Sequence, residues 1–419
     1  MATVAVTSVV RSPLLSRAGE RLGRVQDVVA HLTEGGLPLV SGLVAGIGGR
    51  AIFVPARDVA RIDPGTVQLA VDRLDLRSFE RRPREILLAR DILRHHVINV
   101  SDARLVRVND IELAEREDEL RVIGIDAEGG NIFQRLLLRS RGATQPFLDW
   151  SSIEPLLGHV PTVRRRLPFT RLARLHPAEL ADMVEAASPT EGEEILQAVG
   201  EDPDLEADVF EELDTAYQVE FLGARSDAEA AEILANMSPD DVADIVLELE
   251  QERRERILGR LPLIQLRKVR MLLGYNPETG GGLMNPDFLT VPSDTPVGAA
   301  LDMVRSSHLP STAVATVFIV NGNDELIGAL SVAELLRHDP SRPIAEVAAR
   351  DPVVVRPHTD VPEIAMKMAD FNLEALPVVD DGHRMIGVIA VDDLLEVMLP
   401  EEWRIRVQRY PQENRKRRN

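Results

Sequence analysis

Three internal repeats constrain the fold of this chain more than any other feature. They lie in consecutive regions of the 419 residues, with offsets of 83 residues, of 62 residues, and of 64 falling to 59 residues. Self-similarity at a fixed offset indicates duplicated structural units. The three repeats have different hydrophobic periods, and the length allows roughly three domains. The chain is therefore predicted to be a multidomain α+β protein.

The first repeat predicts strands. Arg21–Val29 recurs as Arg104–Glu112, and in both copies apolar and polar side chains alternate, as they do in a half-buried strand. Further apolar strands are predicted at 39–44 and 51–54 after the first copy, and at 120–125 and 131–133 after the second. Two related small β units are therefore expected. Asp27 and Asp110 recur in the two copies, and we expect them to stabilise turns.

The second repeat predicts helices. Ser188, Ser226 and Ser238 each stand three residues before a carboxylate, which is the pattern of a helix N-cap, and proline follows the first and third serine. Residues 175–196 align with 237–258 without a gap. The apolar spacing predicts helices of roughly 10 to 15 residues. The repeat indicates stacked helical hairpins that form a short solenoid.

The third repeat predicts a mixed unit. Residues 291–297 align with 355–361, and residues 326–336 align with 385–395. Each copy has the pattern of a short strand, a helix, two apolar strands joined by a turn, and a closing helix. The C-terminal region is therefore expected to be a tandem α/β pair.

Three adjacent glycines, Gly280, Gly281 and Gly282, separate the second repeat from the third. Glycine adopts positive φ without a steric penalty, and Pro277 and Pro286 discourage helix on both sides. This stretch is predicted to turn sharply and to act as a hinge.

Composition excludes several classes of protein. The chain has 44% hydrophobic and 28% charged residues, no cysteine and a net charge of −20. We expect a globular, soluble, cytoplasmic protein without disulfides or thiolate metal sites. The negative charge disfavours a general nucleic-acid binder. The most apolar stretch, residues 37–54, contains proline, arginine and four glycines, so no transmembrane segment is predicted. With no nucleophile–base pair, phosphate loop or acid–base dyad in the sequence, we expect no enzyme.

The first repeat resembles the PRC-barrel family, whose strand signature leads to a Phe-x-Pro strand such as Phe53–Pro55. The resemblance covers most of residues 14–139. It implies interaction modules, some of which belong to ribosome maturation factors.

The segment Met237–Glu248 resembles the helix of the MgtE N domain in MgtE-type magnesium channels, and Tyr275–Met284 resembles the junction that follows it. Val391–Glu396 resembles the MgtE segment whose acids face the N domain and share Mg²⁺ with it. The resemblance implies a Mg²⁺ site from five acids, to which Glu401 or Glu402 could add: Asp240, Asp241, Asp244, Asp393 and Glu396. Asp240 and Asp244 share one helix face, where like charges repel unless a cation intervenes. The alternative is that first-turn acids only complement the helix dipole.

The third repeat resembles a tandem pair of CBS domains, which in many proteins binds an adenine nucleotide through a Gly-x-x-Thr/Ser-x-x-Asp run. The first copy offers Gly328, Ser331 and Glu334, and the second offers Gly387 and Asp393. Ala390 lacks the hydroxyl of the pattern and Glu334 replaces its aspartate. The resemblance also implies a homodimer formed through the CBS pair.

In MgtE channels a helix and five membrane spans follow this point. Here about 20 residues remain, so we expect a chain that does not itself conduct an ion. The end of the sequence is basic, Arg415–Arg418. It is compatible with contact to anionic lipid or RNA, or with a disordered solubilising tail.

The predicted domains are a PRC-barrel-like domain at 1–80, a second at 81–145, a helical domain at 150–274, a hinge at 275–283, CBS domains at 284–339 and 343–399, and a basic tail at 400–419. Our first functional hypothesis is a regulatory sensor that binds Mg²⁺, with an adenine nucleotide as a second ligand, and signals to a protein such as a membrane transporter. Through that protein it would sit at the membrane periphery. The alternative is a scaffold or assembly factor whose barrels bind a protein or a ribonucleoprotein.

Overall fold

The computed structural model describes residues 3–33, 36–116, 119–127, 147–158, 160, 172–200 and 202–399. The chain divides into two compact units, Met1–Glu212 and Leu213–Asn419. Each unit is described by itself.

Strands dominate the first unit. Its described residues form one sheet of 13 strands: β1 (Thr3–Ala5), β2 (Pro13–Leu15), β3 (Arg21–His31), β4 (Leu39–Ile47), β5 (Arg50–Pro55), β6 (Val59–Asp63), β7 (Thr66–Leu69), β8 (Glu85–Leu87), β9 (His96–Asn99), β10 (Arg104–Arg116), β11 (Glu119–Ala127), β12 (Leu148–Asp149) and β13 (Ile153–Pro155). Their order in the sheet is β13-β9-β10-β11-β4-β3-β2-β7-β6, to which β1, β5, β8 and β12 are attached.

The two sequence copies in this sheet exchange their first elements. β1 pairs with β10 of the second copy, and β8, which precedes the second copy, pairs with β3 of the first. Side chains of both copies, among them Leu43 and Ile111, belong to one hydrophobic cluster. The two predicted β units therefore share a core in the described residues, which the sequence repeat alone does not predict.

Asp27 and Asp110 hold these exchanged elements. Asp27 accepts hydrogen bonds from the backbone N–H of Ala89 at 2.8 Å and of Arg90 at 3.0 Å, in the turn after β8. Asp110 accepts one from the backbone N–H of Thr7 at 3.1 Å, in the short helix α1 (Val6–Val9) after β1. The turn-stabilising role predicted for both aspartates is confirmed. Burial raises the pKa of Asp27 to about 6.

The closing strand of the second copy differs from the expected one. Beside Gly42 the structure places Phe53 and Val54, and beside the equivalent Gly124 it places Phe147 and Leu148. The predicted strand at 131–133 lies outside the described residues. The strand β12, which directly follows Phe147, therefore pairs with β11 where β5 pairs with β4.

Helices complete the first unit and begin the second. Those of the first unit are α2 (Pro177–Ala186), α3 (Pro189–Val199) and α4 (Pro203–Glu211). Those of the second are α5 (Thr215–Gly223), α6 (Asp227–Asn236), α7 (Pro239–Glu248), α8 (Gln251–Leu258) and α9 (Leu263–Leu272). α7 and α8 begin 62 residues after α2 and α3, as the repeat predicts. Ser188 and Ser226 form reciprocal capping boxes with Glu191 and Glu229, whereas the hydroxyl of Ser238 occupies the N-cap position without capping.

The tandem α/β pair follows in the second unit. Its first copy contains α11 (Val297–Ser306), α12 (Ser311–Val314), α13 (Val332–Leu335), β14 (Thr290–Pro292), β15 (Thr316–Val320) and β16 (Leu326–Ser331). The sheet of the first copy is completed by β17 (Ala349–Arg350), which comes from the start of the second copy. Its second copy contains α14 (Val361–Phe371), β18 (Ala375–Val379), β19 (Met385–Ala390) and α15 (Val391–Met398). Phe318 and Leu326 of the first copy pack against Val379 and Val388 of the second. The predicted α+β class is confirmed.

The expectation of positive φ at the three glycines is wrong. Residues Gly280–Leu283 form a short helix, α10, and Gly280 and Gly281 are buried. A Cβ on Gly281 would lie 2.5 Å from the Tyr275 ring, and one on Gly282 would lie 2.4 Å from the carbonyl oxygen of Asn276. Glycine is required there because the backbone packs closely, not because it turns left-handed. Bending of this joint in solution stays a prediction.

Gly281→Ala tests this close packing. We expect it to lower the free energy of unfolding by about 1–3 kcal/mol, because the added methyl group must displace the Tyr275 ring. Gly322→Ala is the matched control, since a Cβ there meets nothing within 4 Å; its effect should stay within about 0.5 kcal/mol. Urea unfolding of the two variants checks both values. Equal stability of the two variants would contradict the packing role.

Candidate metal centre

The acidic face of α7 follows from its amphipathic sequence. Val242, Ile245 and Val246 are buried and fix the orientation of the helix. Asp244 therefore lies on the side that is open to solvent, whereas Asp240 and Asp241 stand in the first turn and are half-buried. First-turn carboxylates are also stabilised by the helix dipole.

The pKa of the Asp244 carboxyl is raised well above that of an ordinary aspartate. Displacement of water by the surrounding protein, the charge of Glu396 on α15 and the charge of Glu248 raise its pKa to about 6. Its side chain is nevertheless solvent-accessible. Two of the five predicted ligands, from two separate elements of the second unit, are thus close enough to repel each other.

The other predicted ligands are placed differently. Asp240 accepts a hydrogen bond from the side-chain amide of Asn285 at 3.0 Å. Asp241 lies in the first turn of α7, and Asp393 lies in the first turn of α15. Across the described ranges no three acidic or histidine side chains converge on one point. Glu401 and Glu402 are outside the described residues.

The pair Asp244 and Glu396 fits Mg²⁺ by its chemistry. Mg²⁺ prefers oxygen ligands, retains several waters, and is usually held by one or two carboxylates. The charge of Glu396 contributes to the raised pKa of Asp244, so a cation between the two acids would relieve their repulsion, and the exposure of both side chains leaves room for water ligands. The donor set of the pair is all-oxygen, because both side chains are carboxylates.

Sequence reasoning missed two residues near this pair. Glu248 follows Asp244 by four positions, so the same-face rule that linked Asp240 to Asp244 could have found it. Asn285 had no such signal, because its contact with Asp240 spans 45 residues.

The residues predicted to bind a nucleotide have different surroundings. Ser331 and Glu334 engage each other in the capping box of α13, and the face of Gly387 is covered by Met284, whose side chain would lie 2.7 Å from a Cβ there. Asp393 begins α15. Gly328 lines a cavity of about 290 Å³ together with Ile319, Ala348 and Arg350. Of the five, only Gly328 lines this cavity.

Comparison with known families assigns the second half of the chain. Residues 175–278 match the model of the MgtE intracellular N domain, and residues 281–341 and 344–400 match the CBS domain. In the described ranges, no helix has the length and apolar character needed to cross a membrane.

Individual relatives agree with these matches. The magnesium transporter MgtE of Thermus thermophilus is 31% identical over 220 residues, which are 46% of this chain and 49% of that protein. MgtE of Bacillus subtilis is 22% identical over 194 residues, 46% of this chain and 43% of that protein. The chain thus spans about half the length of the curated relatives it matches.

A solved structure shows the same fold. The crystal structure of the cytosolic domain of the Mg²⁺ channel MgtE in complex with ATP superposes with a TM-score of 0.51 and 28% identity, over 54% of this chain and 92% of that one. The soluble part of a magnesium transporter superposes equally well at 21% identity, which supports the fold alone. Residues 175–400 are therefore an MgtE intracellular N domain followed by a CBS pair, homologous to the cytosolic region of MgtE.

Proposed function

We propose that this chain is a regulatory Mg²⁺ sensor whose cation binds between α7 and α15. The observation that carries the proposal is the proximity of Asp244 on α7 to Glu396 on α15: burial first, and then the charges of Glu396 and Glu248, raise the pKa of Asp244. Without a cation, this repulsion opposes the contact between helix and CBS pair. A bound Mg²⁺ removes it and draws the two elements together.

The expected affinity of the site for Mg²⁺ limits the role that the bound ion can have. Two carboxylates with retained waters make a weak site, on the order of millimolar, which suits a sensor of free Mg²⁺ rather than a permanent structural ion. The relatives include a magnesium transporter and the cytosolic domain of a Mg²⁺ channel, which supports Mg²⁺ as the ligand. Asp240, Asp241 and Asp393 contribute negative potential around the pair, and no chemical step is assigned to the chain.

An adenine nucleotide is a second proposed ligand. The related MgtE cytosolic domain was crystallised with ATP. In this chain the cavity beside Gly328 is lined mostly by apolar residues, which suit a base, together with Arg350, which suits a phosphate, and Asp351, which does not. The capping box of Ser331 and Glu334 would have to open for those side chains to contact a ribose or phosphate.

In this proposal, Mg²⁺ binding changes a surface of the chain that a partner protein recognises. We propose that the CBS pair forms a homodimer and that the sheet-rich first unit contacts a protein partner, with a membrane transporter as the first candidate. A cytoplasmic location follows from the same proposal, since MgtE-type sensing regions are cytosolic in the related channel.

Proton binding should compete with Mg²⁺ at Asp244. Its folded-state pKa of about 6 lies above 3.8, the ordinary value of an aspartate. Between these values the folded protein retains a proton that the unfolded chain has lost, so stability falls as pH rises from about 4 to about 6. In metal-free protein at about pH 7.5, Asp244→Asn should therefore stabilise the fold. After a discount for solvent screening we expect about 1 kcal/mol, or about 2–4 °C in Tm.

Thermal unfolding in EDTA at about pH 5 and about pH 7.5 checks this expectation. The difference between wild type and variant should shrink at the lower pH. The pKa of Asp27 is also raised to about 6, but Asp27 is present in both proteins. Its contribution therefore cancels, and the difference between wild type and variant reports on Asp244. Asp370→Asn on α14 is the control for loss of an exposed aspartate charge. A variant that is less stable than wild type at the higher pH would contradict the repulsion.

A Mg²⁺ titration tests the proposed function itself. From zero to about 20 mM Mg²⁺ we expect a saturable rise in Tm with a smaller radius of gyration, and about tenfold weaker binding in the double variant Asp244→Asn, Glu396→Gln. The double variant Glu220→Gln, Asp370→Asn removes the same charge from exposed helix positions and should respond like wild type. Ca²⁺ and ATP are titrated in parallel. A flat response to both Mg²⁺ and ATP would rule out the sensor and leave the scaffold hypothesis.

A further inference from the structure

Asn285 connects the two elements that carry the candidate ligands. Its backbone N–H donates to the carbonyl oxygen of Val388 at 2.8 Å, and the N–H of Val388 donates to its carbonyl oxygen at 2.9 Å. Val388 belongs to β19, which leads directly into α15 and Glu396. The backbone of Asn285 is therefore fixed to the CBS side of the site.

The side chain of Asn285 holds the helical side. Its amide nitrogen donates to the carboxylate of Asp240 on α7 at 3.0 Å. Its amide oxygen accepts a hydrogen bond from the backbone N–H of Asp287 at 2.8 Å. The carboxylate of Asp287 in turn forms an ion pair with Lys268 on α9. Both groups of this ion pair are mostly buried, with side-chain exposures of 28% and 21%.

These bonds act at short range from both ligands. Asp240 precedes Asp244 by one helical turn, about 6 Å along the axis. The two backbone bonds with Val388, the hydrogen bond to Asp240 and the ion pair thus tie α7 and α9 to the strand that positions α15. They oppose the repulsion between Asp244 and Glu396, which would otherwise separate the two elements.

We propose that Asn285–Asp287 is a clasp that sets the spacing of Asp244 and Glu396, with Asp240 as its anchor rather than as a metal ligand. This inference rests on the proposed Mg²⁺ function for its purpose, although the clasp itself does not need the metal. Asn285 is a positioning residue in this arrangement. The anchor role of Asp240 differs from the ligand role predicted from sequence.

The anchor and ligand roles demand different chemistry at neighbouring aspartates. An anchor needs a hydrogen-bond acceptor, which the side-chain oxygen of asparagine supplies. A ligand needs the negative charge. Asp240→Asn should therefore keep Mg²⁺ affinity within about threefold, whereas Asn285→Ala should weaken it about tenfold, as loss of a residue that orients a ligand does. Asn323→Ala, in an exposed turn, is the matched control and should leave affinity unchanged.

A metal-free measurement separates the clasp from the function. The chain has no cysteine, so Leu247→Cys on α7 and Val397→Cys on α15 accept spin labels selectively; both positions are exposed, at 38% and 52%. Double electron–electron resonance in EDTA should give a narrow distribution of distances between the two spin labels. The distribution should stay narrow when Asp240→Asn is added and should broaden when Asn285→Ala is added. Circular dichroism confirms that each variant is folded.

The outcomes are distinct. An unchanged distribution in Asn285→Ala would overturn the clasp whatever Mg²⁺ does. A tenfold loss of Mg²⁺ affinity in Asp240→Asn would overturn the anchor role and restore Asp240 as a ligand. A broadened distribution in Asn285→Ala together with no Mg²⁺ binding in wild type would support the clasp and reject the proposed function.

Discussion

Repulsion between carboxylates from two different elements is the constraint on which the second unit depends. Asp244 and Glu396 are placed together by their helices, and their proximity costs free energy as long as both are charged. Proteins retain such an arrangement when a proton or a cation relieves it. The energy of the contact then depends on solution conditions, which is the physical basis of a sensor.

The joint between helical region and CBS pair is packed rather than loose. Gly280 and Gly281 donate backbone hydrogen bonds to the carbonyl oxygens of Thr359 and Pro357 in the second CBS copy, each at 2.8 Å. Although the joint precedes the first copy in the chain, it is bonded to the second. Motion between α7 and α15 must therefore arise from the weaker side-chain contacts around Asn285, or from opening of the whole joint.

Sequence reasoning reached those features that depend on local pattern. The period of two predicted β3 and β10, and the capping serines predicted the starts of α3, α6 and α7 within a residue. The family resemblance pointed to Asp244 and Glu396. The exchange of β1 and β8 could not be predicted, since alternation shows which face of a strand is buried but not which strand it pairs with. The glycines show a related ambiguity, because positive φ and close packing both require the absence of a Cβ. Asn285 depends on contacts with residues 45 and 103 positions away, and no local pattern encodes them.

The crosswise arrangement of the first unit has a consequence for synthesis of the chain. Thr7 contacts Asp110, 103 residues later, so β1 cannot pair with β10 until the second copy has been made. At 5–20 residues per second this wait lasts about 5–20 s. During that time β1 lacks its partner strand, and β3, which can already pair with β2 and β4, lacks β8; unpaired strand edges are prone to aggregate. Such non-local pairing also slows folding itself, because a long loop must close before any of its contacts form. The rate of translation through residues 85–116 is therefore a determinant of how much of this protein reaches its native state.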